Sequence, residues 1–287
     1  MKALITGDQG FIGSHFAHHL SELGWSVLGC DIKHGMDCRT LFQSEKRQFD
    51  LVIHAAAIVG GRETIENEPL TVATDLAIDA DFFNWATRTH QPKLVYFSSS
   101  AAYPTSLQGD NGRALRESDI DVRSASIGTP DMTYGWSKLT GELLATHARD
   151  LGTSVHVFRP FSGYGPRQDL TYPFPSFIQR VKNREDPFPI WGSGTQVRDF
   201  IHVDNIINTV MTSVKFGFEG PMNVCSGIGT TFDALAAMMF DVSGWHPKKV
   251  IHLTNKPTGV QCRVGNPTNM VSSVDPISLR EGISRCL

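Results

Sequence analysis

The residues Lys2-Ala-Leu-Ile-Thr6 run directly into Gly7-Asp-Gln-Gly10-Phe-Ile-Gly13, an apolar strand feeding a turn with glycines three residues apart. Gly7 suits the tight turn, Gly10 lets backbone N–H groups approach a pyrophosphate, and Gly13 lets the following helix pack close. That helix, predicted over Phe11 to Leu23, would point its unpaired N–H groups and the positive end of its dipole at the phosphates. A second strand is predicted over Trp25 to Cys30, and Asp31 stands where it ends. A carboxylate there accepts the hydroxyls of an adenosine ribose and repels a 2′-phosphate, so the expected cofactor is NAD rather than NADP. A glycine triplet alone is weak evidence; strand, turn, helix, strand and acid in this order restrict the chain to a βαβ dinucleotide-binding unit.

Other apolar runs recur at Ala3–Ile5, Val27–Leu28, Leu51–Ile53, Leu94–Phe97 and Val155–Phe158, separated by helix-compatible segments. Continuous rather than alternating runs suit strands covered on both faces, so the expected fold class is α/β with a doubly wound parallel sheet. From Gly165 onward prolines crowd in and strand signals shorten, which reads as a smaller, loop-rich C-terminal lobe. We expect a cofactor-binding domain over residues 1–165, with segments near 203–228 returning to it, and a substrate lobe over 166–287. A net charge of −3 and the absence of a basic run argue against nucleic acid and membrane-surface partners. The five cysteines are scattered and read as reduced thiols, with no metal site expected. A first strand starting at residue 2 leaves no room for a leader, and no apolar run nears the ~20 residues of a membrane helix, so the expected location is the cytoplasm.

Tyr134 and Lys138 lie four apart in a predicted helix and so share a face. An ammonium beside a phenol lowers its pKa, which would ready Tyr134 to take a proton from a hydroxyl. The pattern alone is common and more often marks an amphipathic helix with a surface lysine. Support comes from Ser98-Ser-Ser100, which follows the run Leu94–Phe97, because hydroxyls at the carboxyl end of a central parallel strand sit where ligands bind.

On these motifs the whole chain resembles the extended short-chain dehydrogenases/reductases, in the nucleotide-sugar epimerase/dehydratase family. The resemblance implies a Rossmann fold, bound NAD and a nucleotide-sugar substrate. It assigns the cofactor to Gly7, Gln9, Gly10, Phe11, Ile12 and Gly13, to Asp31, Ile32, Asp37 and Cys38, to His54, Ala55, Ala56 and Ala57, and to Phe161. Spacing back from Tyr103 makes Ser99 the catalytic hydroxyl, with Tyr134 and Lys138 completing the triad and also touching the cofactor. Arg198, in Trp191-Gly-Ser-Gly-Thr-Gln-Val-Arg198, and Arg263, in Gly259-Val-Gln-Cys-Arg263, would grip the diphosphate bidentately. Gly60, Gly61, Ser100 and Ser162 complete the implied substrate set, the glycine pair resembling the GDP-sugar members.

Three positions depart from the family pattern: Asp75 and Ser162 stand where asparagine is usual, and Asn266 replaces a common aspartate. Ala101 occupies the position where several members carry a cysteine or glutamate acid/base, and a methyl group moves no proton. What survives is oxidation at one carbinol, which is what a 4-epimerase needs; other family reactions would require an acid/base from elsewhere, such as Arg62, Asp169 or Tyr172. A non-catalytic NAD-binding module is the alternative of another class, and the intact Ser99/Tyr134/Lys138 set argues against it. A homodimer is expected from the resemblance and from apolar stripes formed by Phe82, Phe83 and Trp85 and by Leu139, Leu143 and Leu144.

Overall fold

Each apolar run of the first half becomes a strand that sends alternate side chains into two separate cores. The computed structural model describes residues 1–110, 112–124 and 126–287. In chain order the first elements are β1 (Lys2–Thr6), α1 (Phe11–Glu22), β2 (Ser26–Cys30), α2 (Cys38–Ser44), β3 (Leu51–His54), α3 (Arg62–Asn67), α4 (Val72–Arg88), β4 (Lys93–Phe97), α5 (Met132–Asp150) and β5 (Ser154–Pro160). There follow β6 (Ser162–Tyr164), α6 (Pro173–Lys182), β7 (Phe188–Trp191), β8 (Val197–His202), α7 (Val203–Phe216), β9 (Met222–Val224), β10 (Gly229–Thr231), α8 (Phe232–Ser243), β11 (Val250–Leu253), β12 (Cys262–Arg263) and α9 (Leu279–Cys286).

Six strands form one sheet in the order β2-β1-β3-β4-β5-β9, every neighbour parallel. On one face Ala3, Ile5, Ile53, Val95 and Phe158 meet Phe16 and Leu20 of α1 and Val203, Ile206 and Val210 of α7. On the other, Leu4, Val52, Leu94, Tyr96 and Val157 meet Phe42 of α2, Phe82 and Trp85 of α4 and Ala145 of α5. Two apolar faces per strand account for the lack of alternation in the sequence. The strand order reverses between β1 and β3, and the crevice beyond their carboxyl ends is where an open parallel sheet takes a ligand.

Two expectations need correction. Phe82, Phe83, Trp85 and Leu139 are 0%, 5%, 1% and 4% exposed and so fill the chain's own core, whereas Leu143 and Leu144 are half-buried. The large exposed apolar residues described on the same two helices are Leu76 and Trp136. The stretch after Gly165 is also less loop-rich than its prolines suggest, because Pro173 opens α6, where a missing N–H and a fixed φ cost nothing. This half builds two small sheets, β10-β8-β12 with β6 beside β8, and β11-β7, around a core of Phe174, Phe177, Phe188, Phe200 and Leu235. Among the described residues no helix is long and apolar enough to cross a membrane.

Candidate active site

The glycine turn closes the crevice between β1 and β3. Gly7 has φ 72°, and a Cβ there would come within 2.7 Å of the backbone of Ala55 and Ala56. A Cβ on Gly13 would lie 2.1 Å from the Gly7 carbonyl oxygen, so α1 can approach the turn only with glycine at that position. Gly10 precedes α1 as its cap and offers no side chain to the first-turn N–H groups. These donors therefore stay free for an anion, and the cradle fits a pyrophosphate. Asp31 is 8% exposed and accepts from the backbone N–H of Gln9 (3.0 Å) and of Lys33 (2.8 Å), tying the glycine turn to the end of β2. Phe11, Ile12, Ala55, Ala56 and Ala57 are half-buried around the crevice, Ile32 is exposed, and Cys38 is buried, its thiol pushed up to about 12 chiefly by burial. Asp37 caps α2 and is held below the usual carboxylate range by Arg39.

His54 ends β3, just ahead of Ala55 to Ala57. Its ring is fully buried under β3, meeting Thr6 Oγ1 at 2.7 Å and Asp79 Oδ1 at 3.2 Å and stacking on Phe82 at 4.0 Å. It lines the core, and burial holds it below the ordinary histidine pKa. Phe161 is likewise buried, beside Tyr103.

Tyr134 and Lys138 share a face of α5 as the spacing predicts, the Lys138 ammonium lying 5.7 Å from the Tyr134 ring centre and 5.2 Å from that of Tyr96. Ser99 caps the short 3₁₀ turn Ser100–Ala102 by accepting the Ala101 N–H at 3.0 Å, while Ser98 and Ser100 are buried. In the free protein, with no nicotinamide ring beside it, the Tyr134 phenol lies above its ordinary pKa. Burial raises it, Asp75 and Asp79 raise it further, and only the Ser99 hydroxyl favours the ionised phenol. After burial, the groups that raise it lie on α4. Lys138 holds Asp79 below the carboxylate range together with His54 and Tyr96, against the effect of burial. It also opposes the burial that lifts Asp75 to about 6. Asp75 is 2% exposed and accepts the Ile58 N–H at 2.6 Å. Removing its charge must favour the phenolate. In Asp75→Asn, which can still accept from Ile58, the rise of turnover with pH should move to lower pH; an unmoved profile would show that Asp75 does not govern the phenol.

Below the serines lies a fully buried ion pair. Arg159 on β5 donates to Glu142 on α5 through Nε (2.8 Å) and Nη2 (2.6 Å), and through Nη1 to Tyr103 Oη (3.1 Å) and the Glu117 carbonyl (3.0 Å). Glu142 also accepts from Ser98, and Tyr103 donates to Asn223 on β9 at 2.6 Å. The network fixes the serine turn against the helix that carries Tyr134.

On the opposite rim, Arg198 donates to the carbonyls of Val197 (2.8 Å) and Thr258 (3.1 Å) and lies over Phe232. Arg263 donates to Gln108 Oε1 (2.6 Å) and Asp131 Oδ2 (2.5 Å). Gly60 and Gly61 lead into α3, and the Gly61 N–H donates to Thr171 Oγ1 at 3.0 Å, which docks the loop preceding α6 onto them. That loop brings Tyr172 within electrostatic range of Tyr134; burial first, then Tyr134 and Asp169, raise the Tyr172 pKa. Ser162 opens β6 beside β8. Asp79 and Asp131 are the site residues that sequence reasoning missed. Asp131 sits three residues before Tyr134, yet spacing carries no sign of the arginines that meet it from distant segments.

The sequence model of the NAD dependent epimerase/dehydratase family matches residues 3–225 of the chain. A dTDP-4-dehydro-6-deoxy-D-allose reductase from Streptomyces sp is 28% identical, the match covering 98% of this chain and 93% of that protein. GDP-mannose 3,5-epimerase 1 from Oryza sativa subsp. indica is 27% identical, over 93% of this chain and 75% of its own. In fold, the chain is similar to a UDP-glucose 4-epimerase from Thermotoga maritima with UDP-glucose, at TM-score 0.81 and 22% identity, covering 100% and 97% of the two chains.

Proposed function

Because the chain belongs to the NAD-dependent epimerase/dehydratase family, we propose that it is a nucleotide-sugar epimerase working at C4 through a transient 4-keto sugar. The observation that carries this reading is the Ser99 hydroxyl within reach of the Tyr134 phenol, which has Lys138 beside it, together with Ala101 where a further acid/base would stand. Tyr134 takes the proton of the sugar hydroxyl, and Ser99 bonds the same oxygen and stabilises the phenolate. Lys138, beside Tyr134 on α5, completes the triad and acts electrostatically on Asp75 and Asp79 of α4. NAD, when held by the glycine cradle and Asp31, supplies the hydride acceptor and a positive ring beside the phenol. Arg198 and Arg263 fix the diphosphate, so the sugar stays tethered while either face of its ring is presented.

The nearness of Tyr172 to Tyr134 favours a second reading, in which Tyr172 is the additional acid/base and carbons flanking the ketone exchange protons. The 3,5-epimerase relative fits that reading. Incubating NAD-loaded protein with a panel of UDP-, GDP-, dTDP- and CDP-sugars and scoring products by NMR tests the proposal. A C4 isomer formed over many turnovers without net reduction of NAD supports it; stoichiometric oxidation of the sugar with matching formation of NADH, or no product from any member, contradicts it.

A further inference from the structure

Arg62, which opens α3 and which the sequence offers only as a substitute acid/base, reaches the same carboxylate as Arg263. Its Nη2 lies 2.8 Å from Asp131 Oδ1 and 2.6 Å from Oδ2, and its Nη1 lies 2.6 Å from Glu66 Oε1. It also packs flat on the backbone ahead of Arg263: a Cβ on Gly259, which has φ 72°, would lie 2.4 Å from Arg62 Nε. Three segments far apart in sequence thus bring Arg62, Arg198 and Arg263 together around Asp131.

A simple structural pair would end with Arg62 on Asp131. Here Asp131 is shared between two arginines, the hydrogen-bond partners of Arg198 among the described residues are carbonyls, and the other carboxylate, Glu66, meets Arg62 from the half-exposed side. Asp131 occupies the cap position of α5 but makes no side-chain cap bond, so its carboxylate is committed to the guanidiniums. Positive charge is therefore in excess inside a largely dehydrated site. Burial first, and then repulsion from Arg263 and Arg62, pulls Arg198 down to about 9, and burial with repulsion from Arg62 also lowers Arg263. Excess buried charge is costly unless an anion completes the site.

We propose that Arg62 is the third arm of an anion site for the diphosphate of a nucleoside diphosphate, with Asp131 as the internal counter-ion that keeps Arg62 and Arg263 oriented in its absence. The inference rests on the nucleotide-sugar reading and extends it to a residue that the sequence motifs leave out. Each guanidinium offers a planar fork that matches phosphate oxygens, and hydrogen bonds to charged groups are the strong ones.

Calorimetric titration of NAD-saturated protein with UDP, GDP, dTDP and CDP, and with the matching uncharged nucleosides, tests it in the wild type, Arg62→Gln and Arg62→Lys. The expected result is a nucleoside diphosphate whose affinity falls about tenfold or more in Arg62→Gln and by less in Arg62→Lys, with nucleoside affinity unchanged in all three. Equal affinity for the diphosphate in wild type and Arg62→Gln overturns the proposal. So does a parallel loss for nucleoside and diphosphate, the mark of a merely structural role. If no nucleoside diphosphate binds the wild type, the nucleotide-sugar reading itself falls, and the third arm with it.

Discussion

Tyr134→Phe is expected to lower turnover by about 10²–10⁴-fold while leaving NAD affinity nearly intact, because it removes one proton acceptor and little else. The phenol lies on the face of α5 that also carries Lys138, and the Lys138 ammonium is 5.7 Å from its ring centre, so phenylalanine keeps the packing and loses only the oxygen. Burial and the carboxylates of Asp75 and Asp79 raise the phenol above its ordinary pKa in the free protein. Wild-type turnover should accordingly climb with pH as the phenolate forms, and the residual rate of the phenylalanine variant should lack that climb. A variant retaining more than about a tenth of the wild-type rate would remove Tyr134 from the chemistry.

The second large effect is on stability. Glu142→Ala strands the Arg159 guanidinium, which is 1% exposed and keeps only the Tyr103 hydroxyl and the Glu117 carbonyl as partners. Breaking a buried pair by removing one partner typically costs about 3–5 kcal/mol, since the remaining charge can neither reach water nor find another counter-ion. Chemical denaturation should report a loss in that range. Replacing both residues together by apolar ones of similar volume should cost less, because no lone charge is then buried. A loss below about 1 kcal/mol in Glu142→Ala would mean that Arg159 finds water or another acid on relaxation.

The parts of this molecule governed by local rules were readable in its sequence. The turn needs glycine at Gly7 and Gly13 for reasons of φ and van der Waals contact, and both appear as a spacing. The sheet reveals itself in unbroken apolar runs because both faces of its strands are covered. Tyr134 and Lys138 share a face because 3.6 residues make a turn. What could not be read depends on which distant charges meet. Asp75 and Asp79 set their negative charge against the phenolate that Lys138 would favour, and the His54 ring meets Asp79 in the core. Phe82, Phe83 and Trp85 have an apolar pattern that fits a partner as well as a core, and only the packing of α2 and α4 against the sheet decides between them. The arginines around Asp131 come from α3, β8 and β12, and no periodicity links them.

Ala101 makes the central claim most exposed to test. Changing configuration at C3 or C5, or eliminating water, requires an acid/base beside the ketone, and the methyl group of Ala101 has no exchangeable proton. The proposed residues act only on the sugar hydroxyl: Tyr134 carries its proton and Ser99 holds its oxygen. The decisive measurement is the reaction in deuterium oxide with the nucleotide sugar that the panel identifies, followed by NMR and mass analysis of the product. The account predicts a C4 isomer with no deuterium on any ring carbon. Deuterium at C3 or C5, or a product lighter by one water, would contradict it and move the chemistry to Tyr172 in the loop docked on Gly61.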